Sequence, residues 1–162
     1  MQSKDIIKLT RVLGDKFLTK KLILTTVESC TGGLLAAEIT NIPGSSLWFD
    51  RGFVTYSNQS KIDCVGVKQD TLEQFGAVSQ QIANEMALGG VEKSEGNTGL
   101  SITGITGPSG GSLKKPVGTI FFGIAQKENI IFEHQALFKG NRAEIREKAL
   151  LFALNQLLAL TL

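Results

Sequence analysis

The sequence has no apolar run near the roughly twenty residues that a membrane-crossing helix needs. Its first twenty residues, MQSKDIIKLTRVLGDKFLTK, carry a charge every few positions, so a secretory apolar region is missing too. The expected compartment is therefore the cytoplasm, with no membrane as partner. Cysteine and histidine are scarce: Cys30, Cys64 and His134 are the whole supply. Two cysteines do not make a disulfide framework, and the three residues together are too few for a structural zinc. Charge of one sign is absent as well. Seventeen Lys and Arg against fifteen Asp and Glu leave +2, which gives no electrostatic case for nucleic acid or a membrane surface. What is present is a globular composition, 42% hydrophobic and 20% charged, in 162 residues. That length sits near the roughly 150 residues of one domain, so residues 1–162 are expected to form a single unit. Glycine is abundant: eighteen residues, well above the roughly 7% average, many of them in GG or GxxG clusters.

Apolar periodicity predicts an amphipathic helix over residues 3–20, with Ile6, Leu9, Leu13 and Phe17 on one face. Leu22 to Val27 reads as a buried strand, and Leu34 to Ile39 as a helix after the turn Glu28-Ser29-Cys30-Thr31-Gly32-Gly33. A second strand is expected over Gly52 to Tyr56, followed by a short helix opening at Ser57 to Lys61. Ser79 is placed to cap a helix running to about Lys93, and Gly99 to Thr103 reads as a third strand. Residues 104–116, GITGPSGGSLKKP, are too rich in Gly, Pro and Ser for an element. Val117 to Ala125 and Ile130 to Phe138 alternate across the polar turn 126–129 and should pair as an antiparallel hairpin. Asn141 with Glu144 makes a capping box opening a last helix, whose Leu150, Leu151, Leu154, Leu157 and Leu158 should bury against the sheet. Strands and helices alternate early and a hairpin comes late, which describes an α/β fold: a three-layer α/β/α sandwich on a mixed sheet. In such a domain ligands sit beyond the carboxyl ends of the parallel strands, where two Gly-rich turns lie here.

The turn at 28–33 puts a hydroxyl, Ser29, beside backbone N–H groups at a helix start, where an oxyanion or phosphate is stabilised. Ser29 is thus a candidate nucleophile, although a serine before a helix also serves as a plain cap. His134 falls within a hairpin strand, which disfavours a Ser-His-Asp triad. The base left is a lysine with a lowered pKa, and Lys61 just past the second strand fits, although most lysines are solvated surface residues. Cys30 is a competing nucleophile, with a small core residue as its plainer role. Tyr56 is placed to hydrogen-bond the lysine or serine, or simply to pack. The loop from Thr103 through Gly104, Thr106 and Gly107 offers hydroxyls and N–H groups to a phosphate or ribose. Neither a Walker A loop nor GxGxxG is present. Lys114, Lys115, Arg142 and Arg146 are cations that could meet a phosphate, Arg142 being the best placed.

These segments, TTVESCTGGLLAAEIT, PGSSLWFDRGFVTYSNQSKIDCVGV, GAVS and SITGITGPSGGSLKKPVGTIFFGIA in that order, resemble the CinA C-terminal domain family in its stand-alone nicotinamide-nucleotide amidase form. The resemblance covers about residues 5–160. It implies hydrolysis of the carboxamide of nicotinamide mononucleotide (NMN) to nicotinate mononucleotide and ammonia, in pyridine nucleotide (NAD) recycling. It further implies a Ser/Lys catalytic pair at Ser29 and Lys61, with Tyr56 tuning the lysine. Glu28, Thr31, Gly32, Gly33, Thr103, Gly104, Thr106, Gly107 and Arg142 would bind substrate, with oxyanion N–H groups near 31–33 or 103–106. No metal or organic cofactor is implied, and the nucleotide is the expected partner. The loop departs from the family's usual SGIAGPDGG at Thr103, Thr106 and Ser109, and Asn141 stands where Asp is usual. Two other readings stay open: a non-catalytic nucleotide-binding paralogue of the competence or damage-inducible kind, and an amidase for another amide or nucleotide. A homodimer through the terminal helices is a further possibility.

Overall fold

The computed structural model describes residues 3–162. Five strands form one mixed sheet: β1 (Leu24–Glu28), β2 (Phe49–Val54), β3 (Thr98–Gly104), β4 (Thr119–Gln126) and β5 (Asn129–Leu137), in the order β2-β1-β3-β4-β5. β1 runs parallel to both β2 and β3, whereas β4 is antiparallel to β3 and to β5. The helices are α1 (Ser3–Lys20), α2 (Leu34–Thr40), α3 (Asn58–Val65), α4 (Gln69–Phe75), α5 (Gln80–Glu92) and α6 (Arg142–Ala159). The α/β/α sandwich and the late hairpin expected from the sequence are therefore present.

Residue alternation along each strand decides what covers each face. Leu24, Leu100, Ile102, Ile120, Phe122 and Ile124 point to one side. There Leu13 and Phe17 of α1, Leu35 and Ile39 of α2, and Ile145, Leu150, Leu154 and Leu157 of α6 complete the main core. Leu151 and Leu158 are only partly buried against it. The other side is lined with small residues. A Cβ on Gly99 would meet the Ala87 carbonyl at 2.5 Å, and one on Gly123 the Ala83 carbonyl at 2.9 Å. That absence of bulk lets α5 lie close to the sheet, and Ser101 Oγ donates to the Ala83 carbonyl at 2.5 Å. α3 and α4 join α5 through a smaller core of Val27, Val65, Val67, Leu72, Ile82 and Met86.

Several boundaries differ from expectation, among them the end of β2 at Val54 rather than Tyr56 and the start of β4 at Thr119 rather than Val117. β1 starts at Leu24 rather than Leu22 and takes in Glu28, and β2 begins at Phe49, three residues early. The hairpin turn is shorter than four residues, because Gln126 pairs with Asn129 and Lys127 takes a positive φ of 54°. α4 was not foreseen. The capping box forms as read: Asn141 Oδ1 accepts from the Glu144 N–H at 3.0 Å, and Glu144 Oε2 from the Asn141 N–H at 2.7 Å.

Candidate functional site

The carboxyl ends of β1, β2 and β3 lie side by side and deliver Ser29, Thr55 and the loop after Gly104 to one place. Ser29 is fixed by its own N–H, which donates to the Ile102 carbonyl at 2.9 Å. Thr55 is fixed likewise by donating to the Glu28 carbonyl at 2.8 Å. Lys61 reaches this point from α3, whose start is set by Ser57 Oγ accepting from the Ser60 N–H. Its side chain is 1% exposed, and Nζ donates to the Thr55 carbonyl at 2.7 Å, the Tyr56 carbonyl at 3.4 Å and Ser29 Oγ at 3.1 Å.

Burial pushes the Lys61 pKa below the usual lysine value. The protonated amine can donate to all three oxygens, whereas the neutral amine keeps two N–H bonds and one lone pair. With two carbonyls holding the two N–H bonds, the lone pair is left for the Ser29 hydroxyl. The geometry thus favours Lys61 as acceptor of the serine proton. Cys30 is in the opposite situation: burial raises its thiol to about 12, so it stays a protonated, poorly nucleophilic group in the wall.

A cavity of about 280 Å³ opens over Ser29 and Lys61, lined also by Cys30, Tyr56, Thr103, Gly104, Thr106, Gly107 and Arg142. These sequence-read residues do come together. Arg142, placed at the first residue of α6 by the capping box, donates from Nη1 to the Gly107 carbonyl at 2.7 Å. Its Nη2 donates to the Tyr56 hydroxyl at 3.2 Å. Thr103 Oγ1 donates to the Ala77 carbonyl at 2.8 Å, tying the loop to the wall formed by Ala77 and Val78.

Several expected contacts are otherwise. Glu28 does not face the cavity: its two carboxylate oxygens accept the Leu35 and Ala36 N–H groups at 2.9 and 3.1 Å. The start of α2 is thereby already occupied by a negative charge, which removes it as an oxyanion or phosphate site. Thr31, Gly32 and Gly33 form the turn behind Ser29 and are not among the lining residues. The Tyr56 hydroxyl meets Arg142 and not Lys61; only the Tyr56 carbonyl touches the lysine. Lys115 is unavailable to a phosphate, since Nζ donates to the Val78 and Phe75 carbonyls at 2.5 and 3.3 Å. His134 lies in β5, stacked against Phe132 and Phe152 and away from the cavity.

For an oxyanion, the N–H groups of Cys30 and Thr106 are candidates, as is that of Gly107 on the same loop. All three residues line the cavity, and among the described residues no carbonyl accepts from any of these N–H groups. Two contributors escaped sequence reading: the Thr55 carbonyl, which has no side-chain signature, and the Ala77-Val78 wall, which follows the unforeseen α4.

Residues 6–161 match the family model described as the CinA C-terminal domain. Among curated relatives, the chain is 47% identical to nicotinamide-nucleotide amidohydrolase PncC of Enterobacter agglomerans, over 95% of this chain and 94% of that one. It is 42% identical to the protein of the same name from Escherichia coli strain K12, over 97% and 95%. Among solved structures, the competence/damage inducible protein CihA from Agrobacterium tumefaciens superposes with a TM-score of 0.93 at 43% identity, covering 98% of this chain and 96% of that one.

Proposed function

The chain belongs to the CinA C-terminal domain family, and from that premise we propose that it is a nicotinamide-nucleotide amidohydrolase, converting NMN and water to nicotinate mononucleotide and ammonia. The single observation that carries the chemistry is the buried Lys61 amine 3.1 Å from Ser29 Oγ, with its remaining donors held by carbonyls.

Neutral Lys61 takes the Ser29 proton as Oγ attacks the carboxamide carbon. The carbonyl oxygen becomes an oxyanion, received by N–H groups among those of Cys30, Thr106 and Gly107. Lys61 then returns the proton to the departing nitrogen, the C–N bond breaks, and ammonia leaves an ester on Ser29. Water, deprotonated by Lys61, attacks that ester and releases the acid, restoring the Ser29 hydroxyl. The nucleophile and the base both come from the chain, so this sequence of steps needs no metal. Arg142 is the cation of the cavity rim and is assigned to the substrate phosphate, with the Thr103 to Gly107 loop against the ribose. Tyr56 holds Arg142 in place rather than tuning Lys61. Cleaving the amide returns the pyridine nucleotide as its acid, a recycling step. The single-domain organisation over 1–162 and a cytoplasmic setting are part of the same reading.

The test is ammonia release from NMN by purified protein in the presence of a chelator, with product identified by mass. Equal amounts of ammonia and nicotinate mononucleotide are expected. Binding of NMN with no ammonia released would overturn the amidase reading in favour of a nucleotide-binding role.

A further inference from the structure

The turn that carries Ser29 is soft by composition. Gly32 and Gly33 take φ values of 60° and 95°; the Ser29 carbonyl accepts from the Gly32 N–H and the Thr31 carbonyl from the Leu34 N–H, both at 3.1 Å, while firmer bonds hold the two ends, Ser29 N–H to the Ile102 carbonyl and Ala37 N–H to the Gly33 carbonyl, both at 2.9 Å. Glycines in this region leave the peptides on either side free to rotate unless something holds them. Arg146 supplies the distant hold. One turn beyond Arg142 on α6, it does not line the cavity, yet its Nη2 donates to the Thr31 carbonyl at 2.9 Å from 115 residues away. The guanidinium also closes over the turn, since a Cβ on Gly32 would lie 3.6 Å from Nη2.

This contact is poorly explained as a stabilising one. Arg146 Nε is buried with no partner among the described residues, and so is Thr31 Oγ1 beside it. A guanidinium nitrogen buried without a partner carries a cost to folding, although the rest of Arg146 is half-buried. The Thr31 carbonyl would keep the Leu34 N–H as a partner without Arg146. A group retained at a cost beside a nucleophile is what a stability–activity trade-off leaves behind.

We propose that Arg146 is a positioning residue, which locks the Thr31 peptide and through it the orientation of Ser29 and of the Cys30 N–H. The proposal rests on the Ser29 nucleophile of the amidase reading. Its test therefore uses a probe that does not depend on the nucleotide. An alkyl fluorophosphonate forms an Oγ–P bond on an activated serine as fluoride leaves and Lys61 takes the proton. Labelling rates by intact mass are compared for wild type, Arg146→Met and Arg146→Lys, beside kcat, KM and the melting temperature.

Arg146→Met should slow labelling and kcat together by at least about tenfold, in line with the cost of a misplaced reacting group. KM should stay within about twofold and the melting temperature within a few degrees, and Arg146→Lys should recover part of the rate. Labelling at the wild-type rate would overturn the proposal. So would a raised KM at unchanged kcat, which would make Arg146 a substrate contact. If Arg146→Met does not fold, Arg146→Gln takes its place: a wild-type labelling rate there overturns the positioning role. A wild type that is labelled on Ser29 but releases no ammonia removes the amidase reading while the labelling rates still decide on Arg146. A wild type inert to both removes the proposal with its serine.

Discussion

Lys61 concentrates the residue-scale physics, because burying an amine makes its charged form harder to keep, which bears on both its reactivity and its pH signature. Its pKa in the folded chain is lowered by burial, while the unfolded chain titrates near 10.4. Activity that needs the neutral amine should rise with pH and level off below the ordinary lysine value. A kcat/KM profile with its limb at the ordinary value would contradict this. The same shift has a stability consequence of fixed sign. Between the two pKa values the unfolded chain binds more protons, so stability rises with pH there. Lys61→Met lacks this dependence. Melting temperatures from about pH 7 to 10 should therefore move in favour of wild type as pH rises. Cys30 supplies a contrasting test. With its thiol pushed up to about 12 and its side chain buried, a thiol reagent at pH 8 should modify the folded protein once, at exposed Cys64. Two modifications should follow only on unfolding. Sequence reading put Ser29 and Lys61 forward as candidates from their places after two strands, the family resemblance singled them out as a pair, and the fold sets them 3.1 Å apart. Sequence reading missed that the Glu28 carboxylate turns to the start of α2, seven and eight residues on, and that the Tyr56 hydroxyl meets Arg142, 86 residues away.

At the scale of elements, the segments that sequence analysis found are those whose signals are local. Ser57, Ser79 and Asn141 cap their own helices, and all three starts were legible. α4 was not, because its signal lies elsewhere: seven residues bury only Leu72, Lys68 provides no side-chain cap, and Glu85 on α5 accepts from the Lys68 N–H and Thr71 Oγ1. The early start of β2 was hidden by Asp50 and Arg51, charged residues that an edge strand tolerates. Two helix contacts carry consequences. A Cβ on Gly89 of α5 would overlap the Val65 carbonyl at the end of α3, the helix that holds Lys61. Gly89→Ala should cost roughly 1–3 kcal/mol of unfolding free energy, the usual penalty of overpacking, with a loss of turnover at temperatures where the variant is still folded. Glu28→Ala removes the carboxylate cap of α2 and should cost about 1–2 kcal/mol. Both are read by denaturant titration, and an unchanged midpoint would contradict the packing described.

At the scale of the whole molecule, the layer architecture was legible because the order of strands and helices, with a hairpin late, leaves few arrangements for a mixed sheet. The strand order was not, since nothing local places β1 between β2 and β3. That placement is what makes the site. It sets the ends of β1 and β2 side by side, so the Thr55 carbonyl orients an amine from α3 toward Ser29 just past β1, 32 residues away in sequence. If these parts act as one device, their losses should not add. The direct measurement is ammonia release from NMN by Ser29→Ala, Lys61→Ala and the double variant, each confirmed as folded. The account predicts that each single variant loses at least about a thousandfold, roughly the contribution of an activated nucleophile and its base, and that the double variant loses no more. A single variant within tenfold of wild type, or a double loss equal to the product of the two, would contradict it.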